Sequence, residues 1–151
     1  EPGLVGRYGL DPPLVAVALN YRARALAEIG DRAGARAAME ACRRQAARVD
    51  RPFTWVFAAL AEGAVLLGEG AADAAAERFA WALSQCDKAE SDLMRVVTLM
   101  LLGAATRAAG RPREAAAQLR EAIALAAGMR FLIHQPLRLA LLAEALLDAG
   151  E

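Results

Sequence analysis

Apolar residues recur along the chain at the three- and four-residue spacing of amphipathic α-helices, with Gly- or Pro-containing turns between the periodic stretches. Val, Ile and Thr, which favour strands, are sparse and scattered, so the pattern does not support a sheet. It predicts seven helices, at about 12–29, 32–48, 52–68, 71–88, 91–109, 112–127 and 136–149. Asp11 is the expected N-cap of the first helix, and the pair Pro12-Pro13 suits its first turn.

A fixed repeat underlies these helices. Four glycines are 40 residues apart: Gly30, Gly70, Gly110 and Gly150. We expect each of them to end a helix in the left-handed conformation. Small residues recur in register on the preceding helices: Ala23, Gly63, Gly103 and Ala143. An Ala and a larger apolar residue recur on the following helices: Ala35 and Met39, Ala75 and Phe79, Ala115 and Leu119. The pattern fits helix faces whose small residues let two axes approach closely, in repeats at about 13–50, 51–90, 91–130 and a half repeat at 131–151.

This register resembles the tetratricopeptide repeat. The third repeat reads Leu102-Gly103-x-x-Thr106 and then Ala115-x-x-x-Leu119. The resemblance implies an all-α fold, a right-handed superhelix of antiparallel helix pairs, or tetratricopeptide-like α-solenoid. The period of 40 is longer than that family's, no Pro closes the second helix of a pair, and 40 also falls in the range of HEAT-type repeats. The Gly-Asp turn followed by Ala favours the tetratricopeptide type.

A narrower resemblance concerns the segments "DRPFTWVFAAL" and "LALLAEALLDAGE". They are similar to the C-terminal helical arrays of large bacterial signalling ATPases, the LuxR-type and MalT-type transcriptional regulators and their cyclase-linked relatives. That resemblance implies a role in signal transduction, in which the array senses a partner and performs no catalysis. Since the chain starts at Glu1-Pro2, we expect residues 1–151 to be a single domain from a larger protein.

Composition narrows the choice of partners. The formal net charge is zero, which gives no bulk electrostatic reason to bind nucleic acid or an anionic membrane directly. No apolar run reaches about 18 residues, so no membrane span is expected. Cys42 and Cys86 lie in helical patterns and form no disulfide framework, which fits a reducing cytoplasm.

The search for catalytic chemistry is negative at the level of sequence. The chain has no phosphate loop, no dinucleotide fingerprint and no HExxH motif, and its single His cannot build an ordinary zinc site. We therefore expect no enzyme activity, no cofactor and no metal. His134 is interpreted as a loop residue that is solvated or caps the seventh helix, with catalysis as the minor alternative.

Two other groups of side chains have a structural and a functional interpretation. Arginines cluster at the end of the second helix: Arg43, Arg44, Arg48 and Arg51. They suit a helix C-terminus as solvated charges, or they form a patch for an acidic partner. Trp55 and Trp81 are expected to fill the core between repeats rather than to bind a ligand.

The resemblance to tetratricopeptide arrays implies a concave groove lined by the first helix of each pair. Repeat register predicts these lining residues: Val17, Asn20, Arg24, Phe57, Leu60, Ala64, Leu67, Val97, Met100 and Arg107. The same register adds Ala27, Ala104, Leu137, Ala140 and Glu144. Only Asn20 and Arg24 suit a clamp for a terminal carboxylate, so an apolar groove is favoured over a clamp.

An apolar groove predicts a protein–protein interaction module that binds a peptide or a partner helix, either from another protein or from other domains of the same chain. The alternative is a structural spacer that self-associates, for example as a homodimer, through an uncovered apolar end of the seventh helix. A third interpretation is that the superhelix is tight enough for the groove residues to pack on each other.

Overall fold

The structure, a computed structural model, describes residues 12–151, and these residues form seven α-helices without a strand. The helices are α1 Pro12–Glu28, α2 Arg32–Val49, α3 Pro52–Gly68, α4 Ala72–Lys88, α5 Asp92–Ala108, α6 Pro112–Gly128 and α7 Gln135–Ala149. The prediction of an all-α chain with seven helices is confirmed, and their bounds agree with the pattern to within one or two residues. Asp11, the expected N-cap of α1, lies outside the described residues.

The recurring glycines end helices as predicted. Gly30 and Gly70 have φ angles of 82° and 85°, and Gly110 and Gly150 have 77° and 79°. The residue after each glycine donates its amide N–H to the carbonyl five residues earlier, for example from Asp31 to Leu26 at 2.9 Å. Because glycine has no Cβ, it adopts this left-handed conformation without strain.

The turn after the second helix of each pair is also left-handed, which the sequence pattern did not indicate. Asp50, Glu90 and Arg130 have φ angles of 47°, 51° and 55°, although none of them is glycine. Left-handed residues therefore recur every 20 residues from Gly30 to Gly150. Gly128 is the last helical residue of α6, and Arg130 makes the left-handed turn that follows.

The register of small and large residues is confirmed by packing. Gly63 on α3 faces the ring of Phe79 on α4, and Gly103 on α5 faces Leu119 on α6. Both large side chains are fully buried. Because glycine has no side chain, the two helices of each pair can bring their axes close together at this position, and the facing large side chain fills the space between them.

Contacts run along the chain in sequence order. Each helix packs against the next one, and α1, α3, α5 and α7 also contact one another in succession. The contact between α1 and α3 is extensive, whereas α3 and α5 meet at only a few residues. The main core is built from α1 to α4 together with residues spread along α5, and it consists largely of Ala, Val, Leu and Phe. No helix among the described residues is long and apolar enough to cross a membrane.

Candidate functional site

A cavity of about 360 Å³ lies between the C-terminal halves of α1 and α3 and is closed by one residue each from α4 and α5. Its lining residues are Arg24, Ala27, Glu28, Ala64, Leu67, Gly68, Phe79 and Leu101. The volume is at the lower end of the range for ligand sites and suits one or two apolar side chains.

Helix geometry explains why these residues meet. Arg24, Ala27 and Glu28 stand three and four residues apart and therefore share one face of α1. Ala64 and Gly68 stand four residues apart on the facing side of α3. Three of the facing residues are Ala or Gly, and a Cβ built on Gly68 would lie only 3.5 Å from Cβ of Ala27, so α1 and α3 approach closely here and short side chains border the cavity. Leu67 and Leu101, both half-buried, give the cavity apolar walls.

Two charged groups border the cavity. The guanidinium of Arg24 lies over the ring of Tyr21, 5.7 Å from its centroid. Neither Arg24 nor Glu28 forms an ion pair with another described residue. The site therefore combines an apolar pocket with one positive and one negative group that can meet polar groups of a ligand.

Four of the predicted groove residues meet in this cavity: Arg24, Ala27, Ala64 and Leu67. The expectation that Phe57, Leu60 and Met100 form an exposed apolar patch is wrong, since Leu60 is fully buried and the other two are 5% and 8% exposed. The reason is that the odd-numbered helices pack against their neighbours, so these side chains belong to the core. Val17 and Val97 are half-buried and pack against the same core.

Arg107 is engaged within the chain. It lies on α5, and its Nε donates to Asp148 on α7 at 2.6 Å while another nitrogen donates to Glu144. The hydrogen bond that Arg107 donates to Asp148 raises the pKa of Arg107 above its ordinary value, with the charges of both carboxylates adding to the effect. Arg107 therefore holds α5 to α7, and a partner would have to displace two carboxylates to reach it.

Asn20 occupies the groove register but is only 1% exposed. Within residues 12–151 neither its amide nitrogen nor its amide oxygen has a hydrogen-bond partner. The equivalent positions in the next two repeats are occupied by Leu60 and Met100. Asn20 is therefore a polar residue at a position that is apolar in the other repeats. An unpaired buried amide is costly, which makes Asn20 a point of local instability next to the turn that carries Arg24.

Neither the two thiols nor the single histidine lines the cavity. Cys42 and Cys86 are buried. Burial raises the pKa of the Cys42 thiol to about 12 and also raises the pKa of Cys86. His134 is exposed and is the N-cap residue of α7, where its backbone carbonyl accepts from Arg138, but its side chain makes no capping hydrogen bond. Among the described residues no group of three or more His, Cys, Asp or Glu side chains is placed to hold a metal ion.

The tryptophans pack against each other at the surface. Their ring centroids are 6.3 Å apart in an edge-to-face arrangement, and Trp55 donates from its indole nitrogen to Asp50 at 3.0 Å. Trp55 packs against the core as expected, but Trp81 is 37% exposed and is no core residue. The arginines at the end of α2 are all exposed, as solvated charges at a helix C-terminus should be.

Four residues of the cavity escaped the prediction from sequence: Glu28, Gly68, Phe79 and Leu101. Glu28 could have been found, because it lies one turn beyond Arg24 on the same face. Leu101 directly follows Met100. The repeat register assigned Met100 to the groove, whereas it is Leu101 that lines the cavity. Comparison with protein-family models, curated proteins and solved structures finds no match for this chain.

Proposed function

We propose that this chain is a non-catalytic interaction module that binds a peptide or a partner helix, with the cavity between α1 and α3 as its anchoring site. The observation that supports this most directly is the apolar pocket bordered by Arg24 and Glu28, neither of which has an ion-pair partner among residues 12–151. A pocket of this size and polarity suits a large apolar side chain whose neighbouring backbone or charged groups meet those two residues.

The fold family and the biological role expected from the sequence remain part of this proposal. The helix pairs form a tetratricopeptide-like superhelix, and the module serves a regulatory protein of the bacterial cytoplasm. A succession of helices in which each packs against its chain neighbours is compatible with such an array. Its partner is a protein segment, supplied by another chain or by another domain of the same one.

A selection from a random-peptide display library against the immobilised chain tests the proposal. We expect enriched peptides to share a large apolar residue and to lose binding to the Leu67→Glu and Arg24→Glu variants. Leu93→Glu is the matched control, because Leu93 is 46% exposed at the start of α5 and does not line the cavity. Circular dichroism of each variant shows whether the helices are intact.

Two results would overturn the proposal. One is the absence of any enriched peptide. The other is peptide binding that survives both cavity variants while their helicity is unchanged.

A structural spacer is the second candidate function. It is favoured by one observation: large apolar side chains are exposed on and just before α7. That surface is distinct from the cavity.

A further inference from the structure

The cavity between α1 and α3 has charges of opposite sign along its border. Arg24 stands one turn before the end of α1, and Glu28 is the last residue of that helix. The two side chains do not pair with each other, and the guanidinium of Arg24 lies over the ring of Tyr21 instead. The cavity therefore has a positive end at Arg24 and a negative end at Glu28.

The backbone adds to the negative charge at the second end. Helix α1 ends at Glu28 and α3 ends at Gly68, and both residues line the cavity. A helix C-terminus carries a partial negative charge, so two such ends lie beside the carboxylate of Glu28. Arg32, Arg36 and Glu69 are near this end but do not line the cavity, and Arg36 is paired with Glu69.

Apolar walls separate the two charged ends. Leu67 and Leu101 are half-buried, and Phe79 behind them is fully buried. An uncharged segment that filled the cavity would cover Arg24 and Glu28 without giving either one a partner, which lowers affinity. A segment with charges of one sign only would be repelled at one end. The surface is therefore complementary to a segment that carries an acidic, an apolar and a basic group.

The spacing of the two charges matches that of an α-helix. Arg24 and Glu28 are four residues apart, which is a rise of about 6 Å along α1. A helix that lies beside α1 carries its residues i and i+4 at the same rise and on one face, with residue i+3 between them in height. One turn of such a helix can therefore place a charge opposite each of the two residues and an apolar side chain in the cavity.

We propose that the cavity recognises an amphipathic helix in which a large apolar residue stands between an acidic and a basic residue one turn apart. The acidic residue meets Arg24, and the basic residue meets Glu28. This inference rests on the proposed function, because it names the partner of the same cavity. Arg24 and Glu28 then determine specificity, while the apolar walls contribute most of the affinity.

A helical display library tests the charge preference. Its scaffold is an Ala-rich peptide of about 20 residues, long enough to be helical in isolation, and positions i to i+4 of a central turn are randomised. Against the native chain we expect enrichment of a large apolar residue together with opposite charges at positions i and i+4. Sequencing of the selected pool gives the enrichment at each position.

Two neutral variants assign each charge to its partner. Arg24→Gln should abolish the preference for the acidic residue and keep that for the basic one, and Glu28→Gln should do the reverse. Arg22→Gln is the matched control, because Arg22 is exposed on α1 and does not line the cavity. It should leave both preferences unchanged, and circular dichroism shows whether the helices of each variant are intact.

Fluorescence anisotropy with the most enriched peptide measures each contact. Replacing the acidic residue of the peptide by Gln should weaken binding to the native chain roughly two- to fivefold, as for an exposed ion pair. The same replacement should have no effect on binding to the Arg24→Gln chain. Raising the salt concentration from about 0.05 M to about 1 M should remove most of the charge preference and leave the apolar one.

The outcomes separate this inference from the proposed function. Enrichment of apolar residues without opposite charges would overturn the inference and leave the proposed function standing. A preference for the acidic residue that survives Arg24→Gln, or for the basic one that survives Glu28→Gln, would do the same. If no peptide is enriched at all, the proposed function fails and the inference fails with it.

Discussion

Gly103 lies directly against Leu119, so closely that a Cβ built on the glycine would stand 2.7 Å from Cγ of the leucine. Because Leu119 is fully buried, it has no free space into which it can turn. The contact is the point at which α5 and α6 are held together, and the same arrangement recurs between Gly63 and Phe79.

Gly103→Leu should therefore lower the free energy of unfolding by roughly 1–3 kcal/mol through overpacking. Gly128→Leu is the matched control, since no atom lies within 4 Å of a Cβ at that position and the change favours the helix. Urea unfolding followed by circular dichroism measures both. Equal stability of the two variants would show that the close contact of α5 with α6 is not a feature of the folded protein.

The left-handed residues give a second prediction. Glu90 has a φ angle of 51°, and a left-handed conformation costs a residue with a Cβ about 1–2 kcal/mol. Glu90→Gly should raise stability by up to about 1 kcal/mol, because part of that gain is offset by the greater freedom of glycine in the unfolded chain. Gly70→Ala, at the corresponding turn of φ 85°, should lower stability. Thermal unfolding measures both, and a destabilised Glu90→Gly variant would contradict the assigned turn.

Asn20 provides a third prediction, because its buried amide has no partner. Asn20→Leu should stabilise the chain by about 1–3 kcal/mol, since it removes an unsatisfied polar group and restores the residue that stands at position 60. Asn20→Asp, nearly the same in shape, should destabilise it at neutral pH by burying a charge. If Asn20→Leu lost stability, the amide would have a partner that the described residues do not supply.

Cys42 makes stability depend on pH in the alkaline range. Burial raises the pKa of its thiol from 9.0 in an ordinary environment to about 12 in the folded chain. Its contribution to stability is fully present below pH 9 and is lost as the pH rises toward 12, because only the unfolded state releases the proton in that interval. The difference in unfolding free energy between the native chain and Cys42→Ala should narrow above pH 9 by up to about 1.4 kcal/mol per pH unit.

Denaturant unfolding at several pH values checks this dependence. A difference that stays constant through the alkaline range would show that the thiol is accessible and ionises normally. Slow alkylation of the folded chain at neutral pH is the accompanying expectation, since the thiolate is the nucleophile.

Arg36 and Glu69 join α2 to the turn after α3, with the Arg36 Nε and the Glu69 carboxylate 2.6 Å apart. The hydrogen bond from Arg36 lowers the pKa of Glu69 below its ordinary value. Its contribution to stability is therefore present above the ordinary pKa of a glutamate and is lost as the pH falls through the lowered value. Arg36→Gln should raise the pKa of Glu69, and titration followed by NMR measures the change. An unchanged pKa would show that the pair does not form in solution.

The sequence by itself determined the helices and their pairing. The 40-residue register named Gly30 and Gly70 as left-handed helix ends and Gly63 and Gly103 as points of close approach, because these features depend on local conformation and side-chain size. Glycine and other small residues at turns and close contacts can be recognised in the sequence. Their periodic recurrence therefore predicted the helix ends and the close contacts without any knowledge of the tertiary structure.

Only the tertiary structure decided which apolar residues are accessible. Leu60 and Leu67 lie on the same helix and were assigned to the same groove, yet Leu60 is fully buried and Leu67 lines the cavity. Accessibility depends on how closely α1, α3 and α5 approach one another, and that spacing is set by side chains far apart in the chain. The left-handed turns at Asp50, Glu90 and Arg130 could not be predicted from the sequence either. The packing of the flanking helices imposes this conformation, which is unfavourable for residues other than glycine.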